Sequence, residues 1–389
     1  MKNILNIITR ELKYIFSSRL LVLALLAFPV TDCVFLGGIY ISGTLTKLPV
    51  AVIDQDNSKF SRTIIRYFNA SPDMEVKYRL GSVEELKDLF ASHKAVLGVY
   101  IPRDLQKNIK KQKPQSITIF TNSSNYITGN IASIDANTII ATLNGGIKYQ
   151  TLTKKGFSSK QAKELLVPVK NDTAKLFNPS LNYNLYLTPG LWLSVIHQLL
   201  ILMGTLTIAT EFDLKTIRHM LRSAGGSVFK AFAGKTIFYM AVAYLHFEIL
   251  YRLIFPLFNI PIAYSTAAAM ELSMLFAFAS LSMGLLLSSV LKTRMNALKG
   301  CLVISAPAFL LSGYTWPLDQ MPLFLEKLVQ LVPLTPFLRG FTKIYQQDLG
   351  IEFTIAFAAH LAILGIVLFA LAYLIINLRI KKMAERDEF

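Results

Sequence analysis

Cysteine is nearly absent from this chain: two occur among 389 residues, Cys33 and Cys301, each inside a long apolar segment. That leaves neither a disulfide framework nor a thiolate metal site, and no basis for redox chemistry. Charge is scarce too, at 16% of residues against 53% hydrophobic, with a mean hydropathy of +0.46. A soluble chain of this size carries more charge, so lipid has to cover much of this one. The five histidines, His93, His197, His219, His246 and His360, form no HExxH and no paired spacing with cysteine, and no GxSxG occurs. No catalytic residue, metal ligand or cofactor is therefore assigned. A membrane enzyme would need a polar triad that the sequence does not assemble. The run Ala233–Thr236, AGKT, invites a phosphate-loop reading, but that motif requires a glycine where Phe229 stands. Gly234 is read instead as a close-packing glycine and Lys235 as an interfacial lysine, so ATP is not expected to bind this chain.

What is present is a set of long apolar runs flanked by basic residues. The formal charge of +16 would point to nucleic acid in a soluble protein. Here the bases border apolar runs, where anionic headgroups and loops account for them, and no nucleic-acid partner is expected. Residues 1–18 read as an interfacial helix with Ile4, Ile8, Leu12 and Ile15 on one face. A first apolar run at about 20–42, within a segment assigned to 19–45, is long enough to cross a bilayer, with Pro29 as a kink and Asp32 as its charge. It lacks a small-residue cleavage site and is expected to stay as an anchor. Further spans are expected at about 188–210, 234–257, 267–291, 300–314 and 353–377. The fifth is short, and the proline-punctuated stretch 313–345 behind it reads as a re-entrant or amphipathic segment of the outer leaflet.

Residues 46–186 differ in character, being polar with no long apolar run. Strands are predicted at 49–54, 74–80, 95–101 and 116–120, with helices at 59–69, 83–91 and 125–153. Ser82 and Glu85 stand in capping-box register, and Gly145-Gly146 marks a possible break in the long helix. The fold class is an α-helical integral membrane protein of six spans with an inserted α/β domain. Basic residues before span one, between spans two and three, between four and five, and in the tail 379–389 place both termini in the cytoplasm and the inserted domain outside.

Ionisable and polar groups inside spans are functional candidates by default. Glu248 and Arg252 in span three form either a plain i,i+4 ion pair or, with Glu271 at the outer start of span four, a polar gate. His197 and Gln198 near mid-depth in span two either line a substrate path or hydrogen-bond between helices. Residues 211–223, EFDLKTIRHMLRS, mix Leu214, Ile217 and Leu221 with charges, as an interfacial anchor or a lever for a cytoplasmic motor would.

In the order of its parts the chain resembles the permease subunit of bacterial type-2 ABC exporters, in the branch with a large extracytoplasmic domain after the first span. The matching pieces cover nearly the whole chain: the amphipathic start, VAVIDQDNSKFSR at 50–62, FNPSLNYNLYLTPGL at 177–191, the acidic start at Glu211, GK at 234–235, SGYTWPLDQMP at 312–322 and VPLTPF at 332–337. In the coupling segment Phe212 separates Glu211 and Asp213 where the family has a base, and Lys215 replaces a glycine while Thr216 remains. The resemblance implies a dimer of permeases in the bacterial inner membrane, bound to a cytoplasmic ATPase that carries the ATP chemistry. Residues Glu211, Asp213, Thr216, Arg218 and Leu221 would couple to it, spans one, two and five would tilt, and a hydrophobic or amphipathic substrate would leave the cell. A periplasmic adaptor is a further partner by analogy. The alternative is a non-transporting surface protein, such as a phage receptor or secretion-accessory factor.

Overall fold

A computed structural model describes residues 2–167, 174, 176–261, 266–291 and 293–385. The chain divides into two units, residues 1–43 with 175–389, and residues 44–174.

The first unit is helical and, among the described residues, holds six helices long and apolar enough to cross a membrane: Arg19–Tyr40, Tyr183–Asp213, Val228–Leu257, Thr266–Val290, Arg294–Leu311 and Ile355–Glu385. These are spans one to six. Several extend beyond their apolar cores because polar caps, not hydropathy, end them. Asn182 accepts from Asn184 N and Leu185 N at the start of span two, and Thr293 from Asn296 N at the start of span five, so both helices begin earlier than the apolar run predicts. Spans two and four pack backbone against backbone: a Cβ added at Gly204 would fall within 3.0 Å of Leu281 O, and one at Gly284 within 3.0 Å of Ile201 O. Small residues at such crossings let backbones pack directly.

Around that crossing lies an aromatic core. Phe276 of span four stacks on Phe337 at 3.9 Å, and Tyr251 of span three on Phe341 at 6.2 Å. Phe337 and Phe341 belong to the helix Leu334–Tyr345, most of whose side chains are buried. The stretch after span five thus splits in two. Its first helix, Leu323–Val329, exposes Leu323 and Phe324, whereas its second fills the core. At the start of span two, Tyr186 and Tyr314 stack at 5.3 Å, each hydroxyl donating to the other's backbone carbonyl. Tyr345 OH also donates to Leu185 O at 3.2 Å. The Tyr186–Tyr314 bonds join the segments 177–191 and 312–322, which the sequence separates widely.

The second unit is built on a four-stranded sheet, β1 (Leu48–Asp54), β2 (Met74–Leu80), β3 (Leu97–Ile101) and β4 (Thr118–Thr121), in the order β2-β1-β3-β4. β1 runs parallel to β2 and β3, pairing Val50 with Leu97, and β4 is antiparallel to β3. Alternation along β1 sends Val50 and Val52 into one apolar cluster with Phe68 and Ala136, and Ala51 and Ile53 into another with Leu86. Ser82 caps the helix Val83–Ala91 through Glu85 N, and Ser58 with Ser61 forms a full capping box for Lys59–Ala70. The helix Tyr126–Lys154 runs unbroken through Gly145-Gly146, where an added Cβ would meet nothing within 4 Å.

Candidate functional site: a buried ion cluster beside an apolar cavity

The N-terminal helix Lys2–Phe16 buries Ile7, Glu11 and Ile15. The buried stripe is therefore displaced from the predicted one, and Leu12 is exposed. The reason is electrostatic, because Glu11 finds a cation inside. Lys235 of span three, 2% exposed rather than interfacial, sends its Nζ to Glu11 Oε1 at 2.6 Å, Glu211 Oε1 at 2.9 Å and Thr207 O at 3.2 Å. Gly234 makes this reach possible: a Cβ there would stand 2.8 Å from Ile7 Cβ and hold the N-terminal helix away. The glycine admits the helix and the lysine fastens it.

Arg10 completes the cluster with a bidentate pair, Nη1 to Glu211 Oε1 at 2.6 Å and Nη2 to Oε2 at 2.7 Å. Hydrogen bonding to the Glu211 carboxylate raises the Arg10 guanidinium above its ordinary value, against the lowering effect of burial. Thr216 Oγ1 donates to Glu211 Oε2 at 2.6 Å, and Tyr239 OH to Glu11 Oε2 at 3.2 Å. Two cations meet two carboxylates, so the cluster is neutral and each buried charge has a partner, the condition for tolerating charge away from water.

From Glu211 the chain turns through Lys215, whose φ of 56° is left-handed. Glycine takes that conformation without strain, which is the physical meaning of the glycine that the resemblance expects here. The helix Ile217–Ser223 follows, with Ile217 and Met220 buried and Arg218, His219 and Arg222 exposed. Leu221 is half-buried against the apolar cluster around Phe232. The coupling candidates therefore divide. Glu211 and Thr216 are internal braces, Asp213 bridges to Arg294 of span five at 2.6 Å, and Arg218 faces outward.

The path candidates divide as well. His197 is fully buried and stacks on Phe276 at 5.6 Å, with no hydrogen-bond partner at either ring nitrogen among the described residues, while Gln198 is exposed. Glu248 and Arg252 pair along span three. Glu271 is exposed on span four, and among the described residues it joins no ion pair with them. Among the described residues no three His, Cys, Asp or Glu side chains gather in a way that could hold a metal ion.

Beside the ion cluster opens a cavity of about 710 Å³. Arg10, Glu11, Glu211, Lys235, Tyr239 and Arg294 form its polar end, and Leu21 and Leu25 of span one, Leu199, Leu202 and Leu206 of span two, and Leu298 of span five form its apolar wall. Such a site can take a drug-sized molecule with one polar and one apolar part. Sequence reasoning missed Arg10, Glu11 and Lys235. One signal was available: Glu11 stands four residues after Ile7 and four before Ile15, on the same helical face.

The model of a family described as ABC-2 family transporter protein matches residues 19–377. The chain is similar to the probable multidrug ABC transporter permease YbhR of Escherichia coli K12, with 25% identity over 329 residues, 85% of this chain and 86% of that protein. It is also similar to the linearmycin resistance permease protein LnrN of Bacillus subtilis 168, with 25% identity over 358 residues, 88% and 91% of the two chains. A more distant similarity, 21% over 255 residues, is to ABC transporter G family member 20 of Dictyostelium discoideum, covering 63% of this chain and 33% of that one.

Proposed function

Because the chain belongs to the ABC-2 family of transporter proteins, and serves as the permease subunit of an exporter, we propose that it is driven by a separate cytoplasmic ATPase docked on the outward face of Ile217–Ser223. One observation carries this reading. The buried cluster of Arg10, Glu11, Glu211 and Lys235 ties the N-terminal helix, the end of span two and span three into one block beside that helix and the cavity. A push on the short helix then moves the cavity walls with little loss in soft joints. Glu211 and Thr216 transmit the push, and Asp213 carries it to span five through Arg294. The ATPase meets Leu214, Arg218 and Arg222, with Leu221 seating the helix.

In this reading the cavity receives a hydrophobic or amphipathic cargo from the cytoplasm or the inner leaflet. Drug export is supported by the name of the Escherichia coli relative and by the mixed polar and apolar lining. The permease works as a dimer in the bacterial inner membrane. Gln198, a polar side chain exposed on a helix otherwise largely buried, needs cover from a second copy or from water on the path. Glu248 and Arg252, already paired along span three, gate that path when the dimer or a second conformation brings Glu271 to them. Both termini are cytoplasmic by the distribution of bases. Residues 44–174 then form an inserted extracytoplasmic α/β domain, a landing place for a periplasmic adaptor.

The test is co-purification. The detergent-solubilised chain from its native cells should bring down ATPase activity, and Leu214→Glu with Arg222→Glu, both on the exposed face, should lose it while the protein still folds. A wild-type eluate without ATPase activity would overturn the reading.

A further inference from the structure

Span one changes its winding at Leu23–Ala27, a turn of π-helix that ends two residues before Pro29. Proline has no N–H, so Leu25 O loses the partner that residue 29 would supply in an α-helix. A side chain from another helix takes the place. His246 Nε2 of span three lies 2.8 Å from Leu25 O, and because a carbonyl can only accept, the latch is the form of the ring that carries a proton on Nε2. The ring's Nδ1 lies 2.7 Å from Val242 O, a second carbonyl, so the neutral ring with its single N–H serves one of the two and the doubly protonated ring serves both; the side chain is almost fully buried beside Pro29, Cys33 and Ile196. A second π-turn, Leu250–Ile254, begins four residues after His246 on span three. π-turns inside membrane helices mark places where the helix can rewind, and proline marks where it can bend.

Leu25 has two roles here. Its carbonyl is held by His246 while its side chain lines the 710 Å³ cavity, together with Leu21 on the same stretch of span one. Past the hinge a second donor fixes the other half of span one: the Trp192 Nε1–H donates a hydrogen bond to Cys33 O at 2.7 Å. The half between Arg19 and Ala27 has span three's histidine at its pivot. We propose that His246 is a positioning residue for transport: it latches the proline hinge of span one and thereby sets how far the cavity wall formed by Leu21 and Leu25 can swing from span two. The proposal rests on the exporter reading only for what the swing accomplishes. The latch itself is a property of the single chain.

The test uses Met203→Cys as reporter in a Cys33→Ala, Cys301→Ala background, since Met203 lines the cavity on span two and all three positions are 3% exposed, so the native thiols would report alongside it. The full chain in membrane vesicles is labelled with a water-soluble methanethiosulfonate. His246→Leu should raise the labelling rate about fivefold, the factor that one net hydrogen bond is worth. His246→Gln, which keeps an N–H donor, should stay within about twofold of the parent. Pro29→Ala returns an N–H to Leu25 O, so it should slow labelling and should remove most of the effect of His246→Leu in the double variant. Equal labelling with and without His246 would overturn the latch. So would an effect of His246→Leu that is as large in the Pro29→Ala background, because packing rather than the carbonyl bond would then be responsible. Should His246→Leu not fold, Pro29→Ala alone decides: labelling no slower than the parent refutes the hinge. The latch result stands whether or not an ATPase co-purifies, so the two readings fail separately.

Discussion

The two ends of span two are fastened by different physics. At its start, Tyr186 and Tyr314 exchange hydroxyl-to-carbonyl bonds and stack, without any formal charge. At its other end, about 38 Å away for 25 residues of α-helix, Glu211 sits in a buried cluster with Arg10, Lys235 and Glu11. Neutral bonds to backbone fail locally and cheaply. Charges away from water hold strongly while all partners are present and fail together when one is removed. A joint that must transmit force without slipping is better made the second way. A joint that only has to bring two loops together can be made the first way.

The largest effect should come from the charged end. Lys235→Met leaves Glu11 and Glu211 buried without their shared cation, and a loss of about 3–5 kcal/mol is expected, read as a collapse of folded yield and of the thermal transition in detergent. Adding Glu11→Gln should restore part of it. If Tyr186→Phe destabilised as much as Lys235→Met, the contrast between the two ends would be gone. Gly234→Val should follow, costing about 1–3 kcal/mol by pushing on Ile7, and it should weaken ATPase co-purification even in the fraction that folds.

At the neutral end, Tyr314→Phe removes one hydroxyl bond, and a cost of about 0.5–1.5 kcal/mol is expected. A double-mutant cycle with Tyr186→Phe would show whether the two tyrosines act as one unit. Asp213→Asn breaks a half-exposed pair with Arg294 and should cost at most about 1 kcal/mol in stability. Its effect on export, if force passes to span five there, should be larger than its effect on unfolding. The smallest expected effect concerns pH. Arg10 is raised in the folded chain above its ordinary value by its hydrogen bonds to the Glu211 carboxylate, so its contribution is fully present below the unfolded value and is lost only as pH climbs through the folded one. Arg10 should therefore add no pH dependence between about 5 and 9. A stability loss in that interval that disappears in Arg10→Ala would contradict the pairing.

The sequence read well where the signal is local. Apolar runs located the six helices because roughly twenty apolar residues have few other uses, and β-branched runs located four strands to within a few residues. Glu211 and Asp213 stood out as acids at the edge of an apolar run. Reading failed where a residue's fate depends on a distant partner. Lys235 looked interfacial because a lysine beside a span usually is, and only the approach of the N-terminal helix, 224 residues earlier, gives it carboxylates to stay buried with. Leu12 and Glu11 exchanged their expected places for the same reason.

By itself, then, the sequence determined that this chain is a multi-pass membrane protein, that it has six segments long and apolar enough to cross, and that a polar stretch with strand patterning separates the first from the second. Those outcomes follow from transfer free energies and backbone geometry summed over neighbouring residues. Only the tertiary structure decided that the GK pair is a clasp for the N-terminal helix, that His197 and Gln198 face opposite ways, that Tyr186 meets Tyr314, and that Leu25 O is held by His246. Each of these depends on a pairing across more than 70 residues or on the rotation of a helix about its axis. A bond between groups so far apart in the chain leaves no periodic trace in the sequence around either one.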